Sequence, residues 1–338
     1  SMVLPFINSG NQIIQILQIL SFLLFPVLIV FGPRLMVWQA DRKLRSVLSE
    51  IEDYHNTSLD LFTGSMESSE EFSQRLRSMK NFQFSAPTAL DPAGMVSRLE
   101  NVLDASENKF QRFVGKYAET ENEEELADLN MAFKGVMGTH QIYKVLRHYR
   151  KLVNETKNFQ LVGLINMMLP IYEELAEAQK GATRAFVDQA PIGDAIGPLV
   201  AAKLITEEPE EEVAENIVHS EEEISGQSIH VLKSNGPGAR LGKYGNAIDD
   251  LAEENDLEAI ITVDAAGKLE GETTGAVNEG VGVMMGGPGV EKSKIEDAAT
   301  SNDLPLEGIV IKQSAPEASK PMKKGIYESW QEAVNKVK

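Results

Sequence analysis

Two aspartates set among apolar residues and glycines are the side chains of this 338-residue chain best placed for chemistry. Asp194 lies in APIGDAIGPLVAAKLI, residues 190–205, directly after Gly193 and before a helix-like run. Asp264 closes the apolar, β-branched stretch AIITVD within AIITVDAAGKLEGE. Two carboxylates that meet can share one proton: one takes a proton from water while the other protonates or polarises a carbonyl. A divalent metal ion held between Asp194 and Asp264 is the other chemistry open to such a pair. Each residue also has a structural reading. Asp194 stands where an N-cap would stand, ahead of Ile196, Leu199, Val200 and Leu204 on one helix face, and a cap is worth about 1 kcal/mol. Asp-Ala-Ala-Gly reads equally as a strand-ending turn.

Three glycine-rich loops accompany the aspartates. NGPGARLGKYG contains Gly236 and Gly238, GKLEGETTG contains Lys268, and MMGGPGVEKSKIE contains Gly286, Gly287, Gly289 and Lys292. Glycines let backbone N–H groups approach an anion closely, so these residues, together with Gly193, are candidates for binding a peptide or a small anionic ligand. Lys268 and Lys292 are candidates for holding substrate or an oxyanion, with a solvated surface role as the alternative. None of the loops has the spacing of a P-loop or a dinucleotide fingerprint.

The elements that must position these residues follow from periodicity. After Gln189 the sequence predicts helices over 195–206, 244–255, 292–301 and from about 317, alternating with strands over 228–233, 259–264 and 308–313. Such alternation implies a three-layer α/β domain, 189–338, with a mainly parallel sheet. The segment 206–223 carries nine acids and no Lys or Arg, which predicts a solvated, partly disordered insertion. Residues 34–188 read as a helical domain, with apolar residues at 142, 145, 146, 149, 152 and 153 in helical spacing. Breaks are expected at SAPTALDPAGM (85–95) and ETENEEELAD (119–128), and a kink or division at Pro170. His140 and His148 read as ordinary helix residues, Met167 and Met168 as core.

No charged residue occurs from Met2 to Pro33, and IIQILQILSFLLFPVLIVF (13–31) approaches the ~20 residues a membrane-crossing helix needs. Arg34, Arg42, Lys43 and Arg45 follow it. This predicts a short extracytoplasmic N-terminus (1–11), a transmembrane helix over 12–33 in the cell membrane, and a cytoplasmic C-terminal part. A cleaved signal peptide would need basic residues ahead of the apolar run. Gln12, Gln15 and Gln18 fall along one stripe, which predicts helix pairing and a homo-oligomer. With 32 basic against 51 acidic residues and a formal charge of −19, a nucleic-acid partner is excluded. The absence of cysteine excludes disulfides, thiol nucleophiles and cysteine-ligated metals.

The segments LDPAGMVSRLENVLD, QIYKVLRHY, PIGDAIGPLVAAKLI, ITVDAAGKLEGETTG and GGPGVEKSKIEDAA, in this order, resemble an archaeal membrane-anchored family catalogued as a domain of unknown function. That resemblance covers nearly the whole chain and supplies no activity. More distantly, GDAIGPLVA, ITVDA, GGPGVEK and LPLEGIVI are similar to segments of the spore germination protease and the hydrogenase maturation endopeptidases. The second resemblance implies a three-layer α/β fold with catalytic acids, here Asp194 and Asp264. In the maturation enzymes the corresponding acids bind nickel with a histidine, whereas no histidine follows His230 in this chain. The combined expectation is a membrane-anchored, cytoplasm-facing protein with an aspartic-type peptidase or other hydrolase domain. The alternative is a non-catalytic small-anion-binding or scaffold protein of a membrane complex.

Overall fold

The computed structural model describes residues 9–82, 95–206, 212–235, 241–287 and 289–338, with side chains described from Phe31 onward except Pro33 and Phe159. Five helices come first: α1 (Ser9–Thr63), α2 (Glu70–Lys80), α3 (Met95–Tyr117), α4 (Glu123–Thr156) and α5 (Phe159–Val187). By contact the chain forms two compact units, 1–52 with 142–173, and 53–141 with 174–338.

The first unit is helical. Val37, Ala40, Leu44, Val47, Leu48 and Ile51 recur at helical spacing on α1 and are buried, as are Leu146, Val153, Val162, Ile165 and Leu169. Asp41 accepts hydrogen bonds from Arg150 Nε at 2.9 Å and Asn154 Nδ2 at 2.6 Å. Burial pushes its carboxyl up, but the bonds from Asn154, Arg45 and Arg150 outweigh it and hold the pKa at about 2.

The expected transmembrane helix over 12–33 and the single-pass cell-membrane placement built on it are corrected here. Those residues open a 55-residue helix that runs on to Thr63, and among the described residues no helix is long and apolar enough to cross a membrane. The physical reason lies in continuity. Beyond residue 33 the same helix turns amphipathic and buries a stripe in protein, so the uncharged run is the start of a longer element rather than an element itself. The side chains of Gln12, Gln15 and Gln18 lie outside the described residues.

In the second unit, α2–α4 surround an aromatic core in which Phe113 and Phe133 lie 5.0 Å apart and Phe62 and Phe133 5.2 Å apart. The Ser69 side chain accepts the Phe72 N–H and caps α2. The acidic break expected over 119–128 is divided in two. Asn122 Oδ1 accepts the N–H groups of Glu124 and Glu125, and Glu123, Glu124 and Glu125 occupy the first turn of α4, where the helix dipole favours them. The break expected at 85–95 falls almost entirely outside the described residues. Helix α5 continues through Pro170 undivided.

The C-terminal part adds α6 (Ile196–Leu204), β1 (Glu212–Ala214), β2 (Ile217–Ile224), β3 (Gln227–Ser234), α7 (Tyr244–Glu254), β4 (Ile260–Gly267), β5 (Val277–Val281), α8 (Val290–Ser301), β6 (Leu306–Gln313), α9 (Ala315–Ser319), α10 (Lys324–Glu328) and α11 (Trp330–Val337). These strands form two three-stranded sheets, β1-β2-β3, which is antiparallel, and β4-β6-β5. Only β4 and β6 run parallel, since β5 pairs antiparallel with β6. The expected mainly parallel three-layer sheet is therefore corrected to two small sheets in a predominantly helical chain. On one face of the mixed sheet Val263, Ala265, Ile309 and Ile311 pack with α6 and α11, and on the other Ile260 and Leu306 pack with Ile248 of α7 and Ile295 of α8.

The acidic insertion is corrected too. Residues 212–224 form β1 and β2, in which Val218 and Glu222 are buried while Glu221 and Glu223 are exposed. The buried Glu222 is matched to donors: Oε1 accepts the Thr206 N–H at 3.0 Å and Oε2 the Thr206 hydroxyl at 2.7 Å.

Candidate active site

Strand β4 lies at the edge of the mixed sheet, and the start of α6 covers that edge. The approach is close because Gly197 has no side chain: a Cβ there would stand 2.5 Å from the Val263 carbonyl oxygen and 3.3 Å from Asp264 Cα. A short 3-10 turn, Gly193–Ala195, precedes α6 and carries Asp194. Gly193 is equally constrained, since a Cβ would meet the Glu317 carbonyl oxygen at 2.3 Å and Gln313 Oε1 at 2.6 Å. Its N–H donates to the Lys320 carbonyl at 3.0 Å, tying the turn to the segment after α9.

Neither aspartate fills the structural role open to it in the sequence. The N-cap positions of the turn and of α6 are Ile192 and Ala195, and neither helix start receives a side-chain cap. Asp264 does not end its strand, because β4 continues to Gly267. Its Oδ1 accepts the Ala265 N–H at 2.7 Å and its Oδ2 the Gly286 N–H at 2.8 Å.

Electrostatics links the pair. Burial raises the Asp264 carboxyl from 3.8 to about 6, and the Asp194 charge adds to the rise, while the Gly286 and Ala265 amides pull the other way. Burial also raises Asp194, although its side chain is exposed. Neither aspartate has an ion-pair partner among the described residues. Both carboxyls are thus held above the ordinary carboxylate range, and the Asp194 charge is felt at Asp264.

The other sequence candidates divide. Gly286 joins the pair through its amide, so that N–H is spent on Asp264 rather than offered to an anion. Gly287 and Gly289 have φ of +90° and +86° and shape the loop that leads into α8. Lys268 donates to Thr274 Oγ1 at 2.7 Å and pairs with Glu317 at 3.5 Å, in a network that fastens the 268–275 loop to α9. In that network burial pushes Glu317 up, but bonds from Ser314, Lys323 and Thr274 hold it at about 2. Lys292 forms an i,i+4 pair with Glu296 at 3.9 Å. Lys268 is thus held by Thr274 and Glu317, whereas Lys292 remains partly exposed in a weak surface pair. Gly236 and Gly238 lie outside the described residues. For a divalent ion, no group of three or more His, Asp or Glu side chains surrounds a common point among the described residues, so Asp194 and Asp264 would have to hold it alone.

Two neighbours escaped the sequence reading. Tyr244, whose hydroxyl lies 2.8 Å from Ser234 Oγ, is near enough that the Asp264 charge raises its pKa on top of the larger effect of burial. Gln313 is 2% exposed, and neither its Nε2 nor its Oε1 has a hydrogen-bond partner. Its signal in the sequence was phase: it continues the alternation of Ile309 and Ile311, both buried, with a polar side chain.

Residues 18–189 match the family model described as "Protein of unknown function (DUF1512) N-terminal domain", and residues 192–338 the model described as "Domain of unknown function (DUF1512) C-terminal". The chain belongs to the DUF1512 family. No curated protein and no solved structure matches it.

Proposed function

We propose that the protein is a hydrolase of the aspartic peptidase type, with Asp194 and Asp264 as its catalytic pair. The observation that carries the reading is the pair itself: two carboxyls without ion-pair partners, both raised, one feeling the charge of the other. In this reading Asp194 is the base that takes a proton from water. The water oxygen attacks the carbonyl carbon of an amide while Asp264, still protonated, gives its proton to the carbonyl oxygen. Collapse of the tetrahedral species breaks the C–N bond: the proton held by Asp194 leaves with the amine, and one hydroxyl returns its proton to Asp264, restoring both carboxyls. The similarity of GDAIGPLVA and ITVDA to the germination protease and maturation endopeptidases supports this reading at the level of the motifs. The mixed sheet departs from their three-layer arrangement, so the support is local. Small-anion binding by the 286–289 glycines is the weaker reading, because Gly286 N–H already donates to Asp264.

The test is a peptide-library screen of the purified chain between pH 4 and 8, beside Asp194→Asn and Asp264→Asn. Cleavage in the parent that both substitutions abolish is the expected outcome. Full activity in Asp194→Asn would defeat the proposal.

A further inference from the structure

The hairpin β2–β3 sorts its side chains by face. Ile224, Ile229 and Val231 pack on one side with the core that includes α6. His219 lies opposite Leu232, Glu221 opposite His230 and Glu223 opposite Ser228, so these six share the other face. That face runs from Leu232, packed toward Ile248 of α7, past the half-buried His219 and His230 to the exposed Glu221, Glu223 and Ser228.

Within it two imidazoles converge. His219 Nε2 lies 3.0 Å from His230 Nδ1, and the rings stack with centroids 5.2 Å apart and planes 21° from parallel. The two are diagonal neighbours on paired strands, which meet only when both side chains lean toward each other. The aspartate chemistry uses neither of them. Two neutral imidazoles at this distance share one proton in an N–H···N bond. Each can instead turn a lone pair to a common metal ion once that proton moves to an outer ring nitrogen, with no proton lost from the pair and no redox change.

The spacing bears on which metal fits. With metal–nitrogen bonds of about 2.0–2.1 Å, cis ligands of a square plane stand about 2.8–3.0 Å apart and tetrahedral ligands about 3.3–3.4 Å. The observed 3.0 Å falls in the first range. Nitrogen donors also hold copper(II) more tightly than the other divalent first-row metals.

We propose that His219 and His230 form a copper(II)-binding chelate on the outward face of the β2–β3 hairpin. Among the described residues no third His, Asp or Glu closes around the pair, so water completes the coordination. Glu221, exposed and directly opposite His230, is the carboxylate placed to join it, and it now accepts the Ser228 hydroxyl at 2.8 Å. The site shares no residue with the aspartate pair.

The experiment is copper(II) titration of the full chain, followed by calorimetry and electron paramagnetic resonance, beside His219→Gln and His230→Gln. One copper ion coupled to two nitrogens is expected, with zinc(II) bound at least about tenfold more weakly and either substitution costing at least about tenfold in copper affinity. Unchanged affinity in a variant that melts like the parent would overturn the proposal. So would a copper signal with oxygen ligands alone, which would put the ion on carboxylates such as Asp194 and Asp264. Zinc bound as tightly as copper would overturn the choice of metal. A further readout needs no variant: substoichiometric copper should broaden the NMR signals of His219 and His230 before those of the exposed His148, and the reverse order counts against the site.

Discussion

Asp264 binds its proton more tightly in the folded chain than in the unfolded one, so it makes folding harder as pH rises between 3.8 and about 6. The cost is fully present above pH 6 and absent below 3.8, and at neutral pH it reaches at most ~3 kcal/mol. Asp264→Asn removes that cost but places an NH₂ group against one of the two N–H donors. A net gain of about 1 kcal/mol in thermal denaturation at pH 7, turning into a loss by pH 4 where only the amide mismatch remains, is therefore expected. Loss of stability at pH 7 would show that the charge is compensated. Because Asp264 must be protonated to act as the acid, hydrolysis should fall as pH rises through 6, read as the descending limb of kcat/KM. Gln313 makes a separate prediction: Gln313→Leu should leave the melting temperature unchanged or raise it, since it removes two unpartnered polar atoms from a buried site. The two aspartates were legible in the sequence because each interrupts an apolar, glycine-bounded run. Gln313 left only its phase with Ile309 and Ile311, and a polar side chain at a strand end looks solvent-facing until the turn packed against it at Gly193 is known.

Gly197 sets how closely α6 approaches β4. A methyl group there would press 2.5 Å from a backbone oxygen, which cannot rotate away, so Gly197→Ala should push α6 off β4 and cost about 1–3 kcal/mol. The same shift separates the aspartates, so the Asp264 titration should move down from 6 toward the ordinary carboxylate range; a destabilised variant with an unmoved titration would disconnect α6 from the pair. A second expectation concerns association. Leu164, Met167 and Ile171 follow one another at helical spacing on α5 and are 55%, 76% and 57% exposed, so Met167, expected in the core, lies on an outward face instead. If the proposed self-association uses this face, Met167→Glu with Ile171→Glu should convert a sedimenting dimer into monomer, whereas a parent already monomeric would end the idea. Element by element, helices α6, α7 and α8 and strands β3, β4 and β6 were readable because their apolar residues recur at 3.6 or 2. Strand β2 was not: IVHSEEEI hides its alternation under three consecutive acids, only one of them buried. α1 misled for the opposite reason, since an uncharged run reports polarity and says nothing of where a helix stops.

At the scale of the molecule, the boundary between the two family models is bridged by packing and ion pairs. Ile192, just past it, belongs to the aromatic core of α2–α4, and Ala190 N–H donates to the Ala185 carbonyl. Glu100 of α3 holds Lys243 and Lys294, each at 2.8 Å, and Glu177 of α5 holds Lys320 at 2.5 Å. Contacts spanning more than a hundred residues leave no mark in local periodicity, which is why the sequence could suggest a seam at 189 and not the bonds across it. Those bonds make the junction an internal heterodimer interface, covalently closed only at one point. Severing the chain between Gln189 and Ala190 should therefore leave two polypeptides that fail apart and complement each other together. Residues 190–338 expressed alone should show no cooperative melt, and mixing with 1–189 should restore one, with the rate of recovery rising with fragment concentration as for any bimolecular assembly.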